Sequence, residues 1–304
     1  MSSPPTRTDP RSPIALVTGA TDGIGRATAA ELARRGYTVL VHGRDASRAT
    51  AVADAIRAAG GQARPAIADL ARLADVARLA AELRDTAPRL DVLVNNAGVA
   101  FRGGARHVSA DGYELTFAVN HLAHFLLTVE LLPLLEATGH ARGDAGSAGT
   151  GTTGAGPARV ATVASELHAR GRIAFDDLQA ERRYSGSAAY ADSKLANVLF
   201  ARALARRTDA QVVVSHALHP GVVKTKLLRD GFGSNGGIST ERGAATSVVV
   251  ATSAEAGRTT GGYWAHEAPA QPAPQGLDDT AGERLWAASD ALVARWRSGA
   301  VARQ

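Results

Sequence analysis

Tyr190 and Lys194 lie four residues apart in Tyr190-Ala191-Asp192-Ser193-Lys194, a spacing that on a helix puts a phenol and an ammonium on one face, one turn apart. A free phenol has a pKa near ~10, too high for ready proton exchange at neutral pH, and a cation held close to it favours the phenolate. The pair has the makings of an acid/base catalyst. Lysine is scarce here, since Lys194, Lys224 and Lys226 are the only lysines among 34 basic residues. An exposed helix with a polar face would carry the same five residues, so partners elsewhere in the chain must distinguish the two.

The first partner is near the N-terminus. Ile14-Ala15-Leu16-Val17 reads as a short buried strand and runs into Thr18-Gly19-Ala20-Thr21-Asp22-Gly23-Ile24-Gly25, after which Ile24, Ala27, Leu32 and Ala33 recur at helical spacing. Three glycines thus sit in a strand-to-helix turn, where missing Cβ atoms admit a ligand to the backbone and free helix N–H groups can meet a phosphate. Their spacing, Gly-x-x-x-Gly-x-Gly, differs from the commoner Gly-x-Gly-x-x-Gly, and a tight turn without a ligand is the bland alternative. Further apolar strands, at Thr38 to Val41, Ala63 to Ala68 and Asp91 to Val94, end in polar or glycine-containing turns. The alternation of strand and helix predicts an α/β fold: one doubly wound parallel sheet with helices on both faces and ligands gathered at the strands' carboxyl ends.

Thr18 to Gly25, Asn95 to Gly98, Asn120, Ser165, Tyr190/Lys194 and Pro220-Gly221 occur in an order and approximate spacing that resemble the short-chain dehydrogenase/reductase family across residues 14 to 264. Gly43-Arg44-Asp45, the run from Val119 to Thr128, Ser193 to Asn197 and His219 to Val223 are similar to the branch that holds retinol dehydrogenases and the WW-domain oxidoreductase. The resemblance implies a Rossmann-like oxidoreductase acting on CH–OH and C=O groups. Tyr190 would exchange a proton with the substrate oxygen, Lys194 would lower the phenol's pKa and hold the nicotinamide ribose, and Ser165 would hydrogen-bond the same oxygen. Asn120, within a helix expected from about Tyr113 to Glu136, would be the family's helix-distorting asparagine in a proton relay. Ser165 follows Ala164 where the family commonly has a second serine, and an ordinary strand-end serine or a buried polar asparagine are the competing readings. His121, His124 and His168 form no metal constellation with carboxylates and are expected in surface or core roles.

The same resemblance places the dinucleotide against Gly19, Thr21, Asp22, Gly23, Ile24, Gly25, Arg44, Asp69, Leu70, Asn95, Ala97, Gly98, Pro220, Gly221, Val223 and Thr225, with Tyr190 and Lys194. Asp69 is expected at the adenine edge and Thr225 near the carboxamide or pyrophosphate. A member using NAD would place an acidic side chain at the end of the second strand. Here Gly43 stands there and Arg44 offers a guanidinium suited to a 2′-phosphate, so NADP(H) is favoured over NAD(H). Asp45 near the ribose, and Asp22 where some NADP-dependent relatives have a basic residue, limit that preference.

The 304 residues show no break that marks a second fold. Residues 1 to 13 are polar and proline-rich and are expected to be a flexible tail before one domain over 14 to 304. No signal-peptide core or ~20-residue apolar run is present, so a cytoplasmic protein without a membrane span is expected. Zero cysteines exclude disulfides and thiol chemistry. The net charge of +5 is spread along helices without aromatic interleaving, which argues against nucleic acid. Gly139 to Pro157, rich in Gly, Ala, Ser and Thr, is expected to be a mobile surface loop. Glu166 to Ser187 and Lys226 to Ser239 are long enough to wall a substrate, with Phe175, Tyr184, Leu227, Leu228 and Phe232 supplying apolar surface and Gly231 to Gly237 a movable lid. A large apolar carbonyl or alcohol, such as a retinoid, steroid or polyketide, is the expected substrate class, and a homo-oligomer is admissible. Same-fold epimerases, dehydratases and cyclases, and a cofactor-bound sensor without turnover, are the alternatives.

Overall fold

Alternating apolar residues set the architecture. In the computed structural model, which describes residues 12–146 and 156–298, the first strand β1 (Ile14–Val17) is buried on both sides. Ile14 and Leu16 join one apolar cluster while Ala15 and Val17 join another. The same two-residue period divides β2 (Thr38–Gly43) and β4 (Val92–Asn95), sending Leu40 and Leu93 one way and Val39, Val41, Val92 and Val94 the other. A strand apolar on both faces must be covered on both. Helices α1 (Gly23–Arg34), α2 (Ala46–Ala58) and α8 (Thr240–Thr252) cover one face, and α3 (Leu73–Thr86), α5 (Ala123–Gly146) and α6 (Gly186–Ala205) the other.

With β3 (Gln62–Ile67), β5 (Ala158–Val163), β6 (Val213–His219), β7 (Tyr263–Ala265) and β8 (Ala268–Ala270), the sheet runs in the order β3-β2-β1-β4-β5-β6-β7-β8. All pairings are parallel except that of β7 with β8. The strand order reverses between β1 and β4, which opens a crevice at their carboxyl ends. This is the expected doubly wound α/β fold.

The asparagine helix is interrupted where it matters. A short helix α4 (Leu115–Phe117), capped by the Glu114 carboxylate accepting from Thr116 and Phe117 N–H, leads into a π-turn over Ala118–Leu122 before α5 begins. Leu115–Arg142 is long and apolar enough to span a bilayer, but 78% of its most apolar window is buried inside the protein.

Residues 139–146 correct the expected loop at 139–157, because they continue α5. Gly139 is there for close packing, since a Cβ on it would lie 2.0 Å from the Val212 carbonyl oxygen. Arg142 reaches the fully buried Asp91, 3.2 Å away, which also accepts from the Ile14 N–H at 2.7 Å. Residues 147–155 of that segment, and residues 1–11 of the expected tail, lie outside the described residues. The C-terminal helix α10 (Asp279–Val293) packs Leu285, Val293 and Trp286 against α5 and α6, and Asp279 and Glu283 pair with Arg202, Arg206 and Arg207.

Candidate active site

The glycine turn between β1 and α1 is a tightly braced cradle. Gly19 and Gly23 have φ of +64° and +55°, a region that favours glycine, and a Cβ on Gly25 would fall 2.3 Å from the Gly19 carbonyl oxygen. Thr18 Oγ1 accepts from the backbone N–H groups of Asn96 and Ala97 at 2.8 and 3.0 Å, and Asn96 Nδ2 donates to the Thr18 carbonyl at 2.7 Å. The turns after β1 and β4 are thereby locked together. Asp22 caps α1 by accepting from Gly23 N–H at 2.8 Å. The Thr21 methyl fills the space that a Gly43 side chain would need, at 2.4 Å from an added Cβ. Ile24 abuts Gly243 of α8, and the Thr225 methyl lies against Gly23, which brings the segment after β6 over the turn.

At the end of β2, Arg44 is exposed. Asp45 is committed elsewhere: it caps α2, accepting from Arg48 N–H at 3.1 Å and Ser47 Oγ at 2.8 Å. The Arg48 guanidinium reaches back across the crevice mouth to Asp22 at 3.4 Å. Asp69 accepts from Ala71 N–H, and Leu70 is buried in the core beneath it. Asn95 departs from expectation. Its side chain turns inward, fully buried, and donates to Thr128 Oγ1 at 2.9 Å. Its neighbour Asn96 braces the glycines instead.

Asn120, Ser165, Tyr190 and Lys194 meet at the ends of β4 and β5. The π-turn aims Asn120 sideways, where Oδ1 accepts from Val99 N–H at 2.8 Å and Nδ2 donates to the Val99 carbonyl and to Ser193 Oγ, each at 3.0 Å. Ser193 Oγ donates in turn to the Tyr190 carbonyl at 2.7 Å. Lys194 Nζ donates to the Val163 carbonyl at 2.9 Å and lies 5.5 Å from the centre of the Tyr190 ring. Ser165 caps the short 3-10 turn Glu166–Arg170, accepting from Leu167 N–H at 3.2 Å. A Cβ on Gly98 would lie 3.4 Å from Asn120 Oδ1, 3.6 Å from Lys194 Nζ and 3.7 Å from the Leu227 Cδ1 methyl. Gly98 thus lies where these three side chains meet. Pro220 and Gly221 follow β6, with Gly221 at φ +89° against Ile238 and Val223 buried beside Gly243.

The electrostatics differ from expectation. Burial pushes the Tyr190 phenol up to about 12, with the Ser165 hydroxyl pulling the other way. Burial also brings Lys194 down to about 8. The ammonium sits over the ring and is bonded to a backbone carbonyl, so desolvation outweighs any pull it exerts on the phenol.

The chain matches the short chain dehydrogenase family over residues 13–147. It is 37% identical over 302 residues to mouse retinol dehydrogenase 14, covering 91% of this chain and 85% of the relative. It is 41% identical over 288 residues to mouse polyprenol dehydrogenase, covering 90% and 82%. Among solved structures, a Beutenbergia cavernae protein described as an NAD(P)-dependent gluconate 5-dehydrogenase, with NADP bound at low occupancy, aligns with a TM-score of 0.65. It shares 32% identity and covers 84% of this chain and 94% of that one. The protein belongs to the short-chain dehydrogenase/reductase family, in its retinol dehydrogenase branch.

This dehydrogenase/reductase is an oxidoreductase of alcohol and carbonyl groups. A cavity of about 350 Å³ lined by Phe101, Arg102, Tyr184, Ser185, Ser187 and Gly231 adjoins the helix that carries Phe232. Above the phenol, Phe232 of α7 (Lys226–Phe232) meets the Tyr190 ring edge-on at 5.2 Å. Phe175 is not part of that wall, because it packs into the core near α10 beneath the Arg284 guanidinium. The glycine-rich stretch after α7 is pinned at its far end, where Ile238 pairs with Val223. Sequence reasoning passed over Thr18, Asn96, Ser193 and Arg48. The first three carry ordinary residue types whose value lies in long-range bonds, whereas Arg48 was detectable as a second arginine four residues beyond Arg44.

Proposed function

We propose that this enzyme interconverts a large apolar alcohol and its aldehyde or ketone using NADP(H). The carrying observation is that Asn120 Oδ1, Lys194 Nζ and a Leu227 methyl meet beside Gly98, with Lys194 Nζ 5.5 Å from the Tyr190 ring. The residues present fit a dinucleotide: a glycine cradle at the α1 N-terminus for the pyrophosphate, Gly98 and Thr225 farther along the crevice, and Arg44 with Arg48 at its adenosine end. When bound, the dinucleotide supplies or accepts the hydride. In the reductive direction Tyr190 gives its phenolic proton to the carbonyl oxygen, which Ser165 also hydrogen-bonds. Lys194, brought down to about 8, is suited to return a proton near neutral pH. A proton-loaded phenol, favoured by burial, is the form that reduction needs.

Arg44 and Arg48 beside the end of β2, where Asp45 caps α2 through Oδ1, support NADP(H) over NAD(H), and the neighbour holding NADP is consistent with it. The apolar lid around Phe232 and Leu227, and relatives named for retinol and polyprenol, support a large apolar substrate. Loss of NADPH absorbance with all-trans-retinal, a long-chain aldehyde and a steroid ketone tests the proposal. Turnover of at least one, faster with NADPH than with NADH, is expected. Tight NADPH binding with no reduction of any of them would favour a binding protein or a same-fold lyase or isomerase.

A further inference from the structure

His124 is buried four residues beyond Asn120, and no step above uses it. Its ring bridges two parts of the site: Nε2 lies 2.9 Å from Thr18 Oγ1 at the end of β1, and Nδ1 lies 3.0 Å from the Asn120 carbonyl oxygen. The tautomer follows by elimination. A carbonyl only accepts, so Nδ1 carries the proton. Thr18 Oγ1 already accepts from two backbone N–H groups, which occupy its lone pairs. Its hydroxyl proton therefore points to Nε2 at 2.9 Å in preference to the Val94 carbonyl at 3.3 Å. Every polar atom is satisfied only while the imidazole is neutral. Burial holds it so, down to about 3, with Lys194, His42 and His121 as the charged or titratable neighbours that reinforce the shift.

The bonds form one continuous path. From the glycine turn it runs through Thr18, His124 and the Asn120 carbonyl, then from Asn120 Nδ2 to Ser193 and so to the Tyr190 carbonyl on α6. The π-turn makes the middle of this path adjustable, because the Ala123 N–H reaches back five residues to Ala118 and the helical ladder is out of step at Asn120. A histidine kept only for volume would need neither nitrogen.

We propose that His124 is a positioning residue, coupling the seating of the cofactor turn to the orientation of Asn120 and, through Ser193, of the Tyr190–Lys194 helix turn. The inference rests on the oxidoreductase reading above. Three replacements separate its arms. His124→Phe keeps ring volume and loses both bonds, His124→Asn keeps a short donor for the carbonyl one turn back, and His124→Gln keeps an amide near Thr18.

With the fastest carbonyl of the three above, His124→Phe is expected to lower kcat by about 10- to 100-fold, the cost of a small misplacement. KM for the carbonyl should change little, and His124→Asn should restore most of kcat while His124→Gln does not. Nitrogen-15 NMR of labelled histidine gives a readout that needs no turnover. The signal missing from any His124 variant should be a neutral Nδ1–H imidazole that shifts when NADPH saturates the protein. An Nε2–H tautomer, a signal indifferent to NADPH, or a folded His124→Phe enzyme with normal kcat would overturn the inference. If His124→Phe does not fold, equal kcat in the Asn and Gln variants overturns it as well. A wild-type protein that reduces none of the carbonyls defeats the substrate proposal, while the NMR result still decides the role of His124.

Discussion

Desolvation drives Tyr190 and Lys194 toward their neutral forms together, one up to about 12 and the other down to about 8. A reductase benefits from the first and a proton relay from the second. Because Tyr190→Phe keeps the ring that packs on Phe232 and deletes only the oxygen, fluorescence titration should find NADPH affinity nearly unchanged. Turnover should drop at least about 10², the range for losing a general acid. At the other end of the crevice, Arg44 has no structural duty that competes with phosphate, whereas Asp45 is tied to the N-terminus of α2. Arg44→Ala should weaken NADPH by about 1.5 to 3 kcal/mol, the worth of a hydrogen bond to a charged group, and leave NADH nearly unaffected. Titration of both cofactors checks it, and an unchanged affinity ratio would remove the basis for preferring NADP(H).

Among the elements, α5 is the one whose reach composition concealed. Gly139 sits against the Val212 carbonyl just before β6, so Gly139→Ala forces two backbones apart. A loss of about 1 to 3 kcal/mol, as for overpacked cores, is expected in urea unfolding. Replacing residues 147–155 with a short Gly/Ser linker should cost far less, since closure entropy grows slowly with length. Equal destabilisation by both changes would mean that 147–155 contribute contacts of their own. On α7, Phe232→Ala removes the ring over Tyr190 and should raise the carbonyl KM more than it alters NADPH affinity.

For the whole molecule, buried histidines set the response to acid. Burial holds His121 and His124 at about 3 and His42 at about 4, below the ordinary 6.5. Between those values the unfolded chain binds protons that the fold refuses, so their contribution is fully present above pH 6.5 and is lost as pH falls toward 3 to 4. Asp192 acts in the opposite sense: burial raises it to about 6, so it adds stability as pH falls from 6 toward 3.8. His168, His216 and His219 are lowered by burial as well, so six histidines against Asp192 should leave a net decline, and urea midpoints at pH 7, 6 and 5 should fall in order. A flat profile would mean that these imidazoles are not held neutral.

Composition and order along the chain determined a great deal here. The two-residue period of the strands, the glycine turn after β1 and the Tyr190–Lys194 spacing are local facts. Each fixes its element because apolar alternation, missing Cβ atoms and helical pitch act within a few residues. Glycine-rich composition misled at 139–146, since the same residues that suit a loop also let α5 press against a neighbouring backbone. The inward turn of Asn95, the placement of Phe175 near α10 and the bridge through His124 were decided by tertiary structure alone. Each depends on a partner supplied by another segment or on which donors remain unspent, quantities that exist only after the sheet has brought β1, β4 and the π-turn together. The same holds for the protonation of Tyr190: the sequence supplied the lysine that favours the phenolate, but only the packed protein determined how much water would be excluded, and burial prevailed.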